Sequence, residues 1–185
     1  ILTSQGKAFF QAGEEIFRSK PATDPSANQS YISSGYCHNS HDASDDINKI
    51  DWSKYQAKDR ETIDLHDFYV GMIALRKAHR AFRMETAKMI QNNLTFIGED
   101  RDGLIAYRIQ RVDGKEEWQD IIVVFNATPT LQTIRVPEVD FTDWQVVVDG
   151  DRVDLEGIDT DAVILGNQTI TVPPISAVIL HAPVD

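Results

Sequence analysis

From Leu94 onward, apolar residues recur at every second position in short runs. "LTFIG", "LIAYRIQR", "DIIVVFNAT", "LQTIRVP", "WQVVVDG", "AVILG", "QTITVP" and "SAVILHA" are eight such segments. A period of two places alternate side chains on opposite faces, which is the pattern of a half-buried strand. Turn pairs punctuate the runs: Asp102-Gly103, Asp113-Gly114, Asp149-Gly150, Gly166-Asn167 and Pro173-Pro174. Around Gly166-Asn167 the stretch "VILGNQTITV" predicts a tight hairpin. Many short strands at close spacing predict an antiparallel β-sandwich, beginning near Gln91-Asn92-Asn93.

The first ninety residues are built differently. "KAFFQAG" holds a solid apolar run, bracketed by Gly6 and Gly13. It predicts a short parallel strand over residues 8–12, buried on both faces. Residues 19–48 are rich in Pro, Ser, Asn and Asp and predict a long functional loop, in which Tyr31 and Tyr36 argue against plain disorder. From Asp59 to His79 the period becomes helical, with Leu65, Phe68, Met72 and Leu75 on one face. Asp59 is the expected N-cap, and Arg76, Lys77 and Arg80 oppose the dipole at the far end. Charge marks the same division: residues 1–90 carry twelve bases and twelve acids, and residues 91–185 carry six bases against seventeen acids. A lone parallel strand leaves its backbone groups unpaired. Strand, loop and helix together make one β/α unit of a larger fold, and seven more would close a barrel.

Composition excludes some classes of function. A formal net charge of −11 disfavours nucleic acid as a partner. No apolar run approaches the roughly 18 residues of a membrane span. The single cysteine, Cys37, excludes an internal disulfide framework and leaves extracellular, cell-surface and cytoplasmic compartments open. The chain begins at Ile1 and reads as if cut from something longer. The five histidines (38, 41, 66, 79, 181) lack zinc-site spacing. "HDASDD" places three Asp within five residues, a set that could hold Ca²⁺, but it lacks the EF-hand glycine and terminal glutamate. No cofactor is assigned.

Four segments carry a family resemblance. "AFFQAGEEIFRSK" (8–20), "NSHDASDDINKIDW" (39–52), "YVGMIALRKAHRAFRM" (69–84) and "VFNATPTLQTIRVP…WQVVVDG…ITVPPISAVIL" occur in that order. Together they resemble the end of the catalytic region of pullulanase-type debranching enzymes, within the α-amylase superfamily. The second segment resembles N-S-Y-N-S-x-D-x-I-N-x-[IL]-D-W, and the third resembles Y-x-G-L-I-x-L-R-x-x-H-P-A-F-R. The departures are His41 for Tyr, Asp42 for Asn, Arg80 for Pro, and an insertion, "DPSANQSYISSGYCH". The resemblance implies an α+β fragment. Residues 1–90 would be the last β/α unit of a TIM-type (β/α)8 barrel, and residues 91–185 a C-terminal antiparallel β-sandwich. It also implies hydrolysis of α-1,6-glucosidic linkages in pullulan, starch or glycogen with retention, by two carboxyl groups about 5–5.5 Å apart. In such enzymes these groups, and a third carboxylate, come from barrel strands that would precede Ile1. The chain is therefore expected to hold no catalytic residue and to be inactive alone. Its implied partners are a branched α-glucan and the remainder of the barrel, in the same or a companion chain.

Within this frame Arg18, Asp45 and Asn48 are the substrate-binding candidates. Sugar hydroxyls both donate and accept, which suits guanidinium, carboxylate and amide groups. Asp45 and Asn48 stand at the family's Asp and Asn. A loop held together by its own Asx turns is the competing reading of the same residues. Glu14 and Glu15 would point to opposite faces of a strand, so they are not assigned to catalysis; pairing with Arg18 or orienting loop backbone is expected instead. Trp52 is expected to be a buried anchor rather than a sugar platform. Trp118 and Trp144 suit either stacking on sugar or packing in the sandwich core. The rival to the enzyme reading is a non-catalytic carbohydrate-binding or structural β-sandwich module.

Overall fold

A computed structural model describes residues 1–22, 31–98, 101–112 and 116–182. The chain separates into two compact units, one formed by residues 9–69 and one by residues 1–8 with 70–185.

The 9–69 unit is made of short elements. A 3-10 turn, Glu14–Ile16, precedes a hairpin of β1 (Ile32–Ser33) and β2 (Tyr36–Cys37). Two single-turn helices follow, α1 (Asp45–Asn48) and α2 (Ser53–Gln56), and then α3 (Arg60–Ala78), whose first half belongs here. Ile47 and Ile16 are its most deeply buried apolar side chains. Thr62 donates to Asp59 Oδ2 from both its hydroxyl, at 2.7 Å, and its N–H, at 3.1 Å. The predicted cap is in place, and these bonds hold the Asp59 carboxyl below its usual range.

The expected strand over residues 8–12 is absent. These residues are irregular, and Phe9 is 89% exposed. An extended segment becomes a strand only where neighbours take up its N–H and C=O groups, and among the described residues none pairs with it. The Phe10 ring instead lies 5.7 Å from that of Tyr69. The long loop is partly ordered by β1, β2 and α1, and residues 24–30 of the insertion lie outside the described residues.

In the second unit all eight anticipated strands form. They are β3 (Leu94–Phe96), β4 (Leu104–Gln110), β5 (Asp120–Asn126), β6 (Gln132–Arg135), β7 (Gln145–Asp149), β8 (Ile164–Gly166), β9 (Thr169–Val172) and β10 (Ser176–His181). A short helix, α4 (Ala87–Asn93), leads in, with the Thr86 hydroxyl accepting from Met89 N–H at 3.2 Å. The strands form two antiparallel sheets, ordered β3-β4-β5-β10-β7 and β6-β9-β8. β8 and β9 make the predicted hairpin across Asn167-Gln168. The anticipated turn at Asp113-Gly114 lies outside the described residues. Alternate residues of both sheets share one core: Ala106, Ile122, Val124, Val178 and Leu180 from the larger sheet, Ile134, Ile170 and Val172 from the smaller.

β5 departs from simple alternation. Ile121, Ile122, Val123 and Val124 are all fully buried, so both of its faces are covered. The remaining parts of this unit bond to one another on polar terms. Arg76 donates from Nη1 to the carbonyls of Leu2 (2.9 Å), Ser4 (2.8 Å) and Phe82 (2.7 Å), and from Nη2 to Gly6 O. Tyr107 Oη donates to Thr3 O at 3.0 Å. At Gly71 on α3 the Val153 side chain comes so close that an added Cβ would lie 2.7 Å from it.

Glu116 is a buried charge of this unit, 5% exposed. Its carboxylate accepts from His79 Nδ1 at 2.9 Å, Ala81 N–H at 2.8 Å and Trp118 N–H at 3.1 Å. Burial opposes its ionisation, but these donors prevail and hold the carboxyl below the ordinary value of 4.5. His79 and His181 stack on Trp118 with centroids 3.4 and 4.0 Å away and rings nearly parallel to the indole. Two rings that close cannot share one face, so they cover opposite faces. Burial holds the His181 imidazole below its usual 6.5, and His79 adds to the effect.

Both depressed groups act with the same sign. Each contributes stability above its unfolded pKa and loses it as the pH falls through its folded value. Unfolding monitored by tryptophan fluorescence should therefore show a falling denaturant midpoint from about pH 7.5 to about pH 5.5, where His181 is the group concerned, and a further fall below about pH 4.5. Glu116→Ala strands a buried imidazole and two N–H groups, and should cost on the order of 3 kcal/mol at neutral pH; a loss below about 0.5 kcal/mol would contradict the role given to this carboxylate.

Candidate saccharide-facing loop

Gly13 and Arg18 shape the loop that follows residues 8–12. Gly13 has φ +96°, a left-handed conformation suited to glycine, and an added Cβ would lie 2.8 Å from Arg18 carbons. Arg18 N–H closes the turn onto Gly13 O at 2.8 Å. Its guanidinium then reaches back to Ala12 O through Nη1 at 3.1 Å and across to Asn48 O through Nη2. The Arg18 Nε is buried and has no hydrogen-bond partner among the described residues.

Arg18 and Asn48, thirty residues apart, are thus brought together, but through the Asn48 main chain. The Asn48 side chain is spent on the loop itself: Nδ2 donates to Ser40 O at 2.7 Å and to Ala43 O at 3.1 Å. Asp45 is exposed in the single turn of α1 that Asn48 ends. A small cavity of about 130 Å³ lies beside them, lined by Arg18, Phe17, Asp46, Lys49, Asp51 and Lys54 among others. Arg18 reaches this cavity; Asp45 and Asn48 do not line it. Lys49 and Asp46 are 3.6 Å apart on its rim. Both charges and neutral donors and acceptors line the space, which suits a polar, hydroxyl-bearing group.

Glu14 and Glu15 occupy a 3-10 turn, not a strand, so the opposite-face argument does not describe them. Each serves the turn's own backbone, Glu14 Oε1 accepting from Gln11 N–H at 3.2 Å and Glu15 Oε2 from Gly13 N–H at 2.8 Å. The expected orienting role is the observed one. Trp52 is 46% exposed within this chain. It sits at the start of α2 and meets Tyr55 edge-on at 6.2 Å, so the sequence step into a surface turn leaves the indole at the surface. Cys37 is buried in β2. Among the described residues no cluster of three or more His, Cys, Asp or Glu is arranged to hold a metal ion. Trp118 has both faces covered and packs, and Trp144 is half-buried against the sandwich core.

The sequence pattern of the family described as "Pullulanase, all-beta domain" matches residues 90–152. The resemblance is to the pullulanases. A pullulanase of Bacillus subtilis (strain 168) is 37% identical over 138 residues, which span 74% of this chain and 16% of the relative. The solved pullulanase from Bacillus acidopullulyticus superimposes with a TM-score of 0.73 at 35% identity, covering 98% of this chain and 19% of that one. Pullulanase type I from B. subtilis strain 168, solved with maltose, gives 0.70 at 30% identity, covering 98% of this chain and 22% of its own. The chain thus spans about a fifth or less of the length of the first pullulanases it matches.

The buried group Glu116, His79, Trp118 and His181 was not signalled as a group by any motif, because its members come from three separate places in the sequence. The polar loop, by contrast, makes a direct prediction. Asn48→Asp keeps the shape and removes both donated bonds, so it should cost about 1–3 kcal/mol and raise amide hydrogen exchange across residues 40–48. Unchanged exchange there would show that Asn48 does not hold the loop.

Proposed function

We propose that this chain is the C-terminal part of a pullulanase-like glycoside hydrolase acting on α-1,6-glucosidic linkages of branched α-glucans with retention. The observation that carries the proposal is the alignment of 98% of the chain with a pullulanase of known structure at 35% identity. Residues 1–90 are the last β/α unit of the catalytic barrel, and residues 91–185 the β-sandwich that follows. In the whole protein residues 8–12 gain strand neighbours, which removes the exposure of Phe9. The carboxylates that perform the reaction belong to the rest of the barrel. This chain's Arg18 and Asp45 contact substrate at the rim, and Asn48 holds the loop that presents them. A relative of this kind has been solved with maltose, which accords with a site for α-linked glucose.

Geometry supports the division of labour. Retention needs two carboxyl groups held about 5–5.5 Å apart, one kept protonated to act as the acid. Glu14 and Glu15 instead satisfy N–H groups of their own turn. The test is pullulan hydrolysis, measured as released reducing ends. The 185-residue chain alone should show none, and the intact protein should be active. In the intact protein Arg18→Ala and Asp45→Ala should each raise KM about tenfold with a smaller change in kcat, the loss of about 1.4 kcal/mol of binding. Activity of the isolated chain, or an unchanged KM in both variants, would overturn the assignment.

A further inference from the structure

A groove in the sandwich unit has a chemistry that the loop does not use. Two cavities, of about 450 and 350 Å³, lie side by side and share Gln145 and Glu156 as lining residues. The first adds His79, Glu117, Trp118 and His181, and the second adds Trp144, Asp159 and Thr160. Among the described residues no lysine or arginine lines either one. The carboxylates of Glu117, Glu156 and Asp159 therefore repel anions and call for a ligand that donates hydrogen bonds.

His181 adds a second, independent demand of the same kind. It is 2% exposed, its Nδ1 lies 2.6 Å from Ala182 O and so carries the proton, and its Nε2 is left as an acceptor without a partner among the described residues. Trp144 supplies the apolar element. The indole is half-buried, held against Phe141 at 5.2 Å, and lines the second cavity. Trp118 cannot serve, since His79 and His181 cover its faces.

We propose that this groove is a saccharide-binding site, taking a short linear stretch of neutral α-linked glucose. Ring C–H groups of a sugar pack on the free part of Trp144, and its hydroxyls donate to Glu156, Asp159 and Glu117 and exchange bonds with Gln145 and Thr160. Two adjacent cavities of about 450 and 350 Å³ offer room for an oligosaccharide rather than a single small ion. The choice of α-glucan rests on the function proposed above. The site lies within the sandwich unit and uses none of Arg18, Asp45 or Asn48.

The experiment is calorimetric titration of the 185-residue chain with maltotetraose, with cellotetraose as the β-linked control. Millimolar binding of maltotetraose is expected, weakened about tenfold or more by Glu156→Ala, whose side chain is exposed, and by Trp144→Phe, with circular dichroism checking that both variants fold. Absence of maltotetraose binding overturns the proposal, as does binding that is insensitive to both groove variants or equal for cellotetraose. The two readings separate cleanly. Pullulan hydrolysis by the intact protein without groove binding sinks this inference alone, and groove binding without hydrolysis sinks the proposed activity alone.

Discussion

A single buried carboxylate organises the larger unit. Glu116 takes hydrogen bonds from the His79 ring and from the Ala81 and Trp118 N–H groups. It thereby fixes the chain just beyond α3 against the segment entering β5. A charge at that depth is tolerated only because every donor is in place, and its removal leaves those donors stranded. The His79–Trp118–His181 stack extends the same tie to the end of β10. Arg76, one turn back on α3, does for residues 2–6 what Glu116 does for residues 79–81, gathering four carbonyl oxygens on one guanidinium. The sandwich core of Val, Ile and Leu supplies the driving force for folding. These buried polar groups decide which segments close over it.

The same tie bears on function. Because Trp118 is clasped between two imidazoles, it is withdrawn from the surface, and its backbone N–H is committed to Glu116. The groove beside it is then shaped by Glu117, Gln145 and Glu156, and Trp144 is the indole left partly open. The 9–69 unit follows another plan. There a left-handed glycine, an arginine and an asparagine fold a polar loop through backbone contacts, with little apolar burial beyond Ile16 and Ile47. Loops built in this way present polar groups while a stiffer neighbour supplies the framework.

Much of this was legible in the sequence because it depends on short periods. The eight strands announced themselves as short apolar runs between turn signals, and the β8–β9 hairpin by Gly166-Asn167. Helix α3 followed from Leu65, Phe68, Met72 and Leu75, capped by Asp59. What failed was inference from burial habit. "AFF" has the composition of a covered strand, yet a strand exists only through partners, and Phe9 has none here. The loop was read in part. Asn48 was singled out, and its side chain serves the loop, though through bonds to carbonyls five and eight residues back rather than through an Asx turn. Glu116 and its histidines were invisible because their meaning is entirely tertiary.

The central functional claim is that the chain frames a substrate whose bond is broken by carboxylates it does not contain. The most direct test traps the reaction's covalent intermediate. A fluorinated α-glucosyl fluoride, slow in the second step of a retaining hydrolase, should label the intact protein on one carboxylate. Peptide mass mapping should place that label outside these 185 residues. A sugar bonded to Glu14, Glu15, Asp45 or any other carboxylate of this chain would contradict the account.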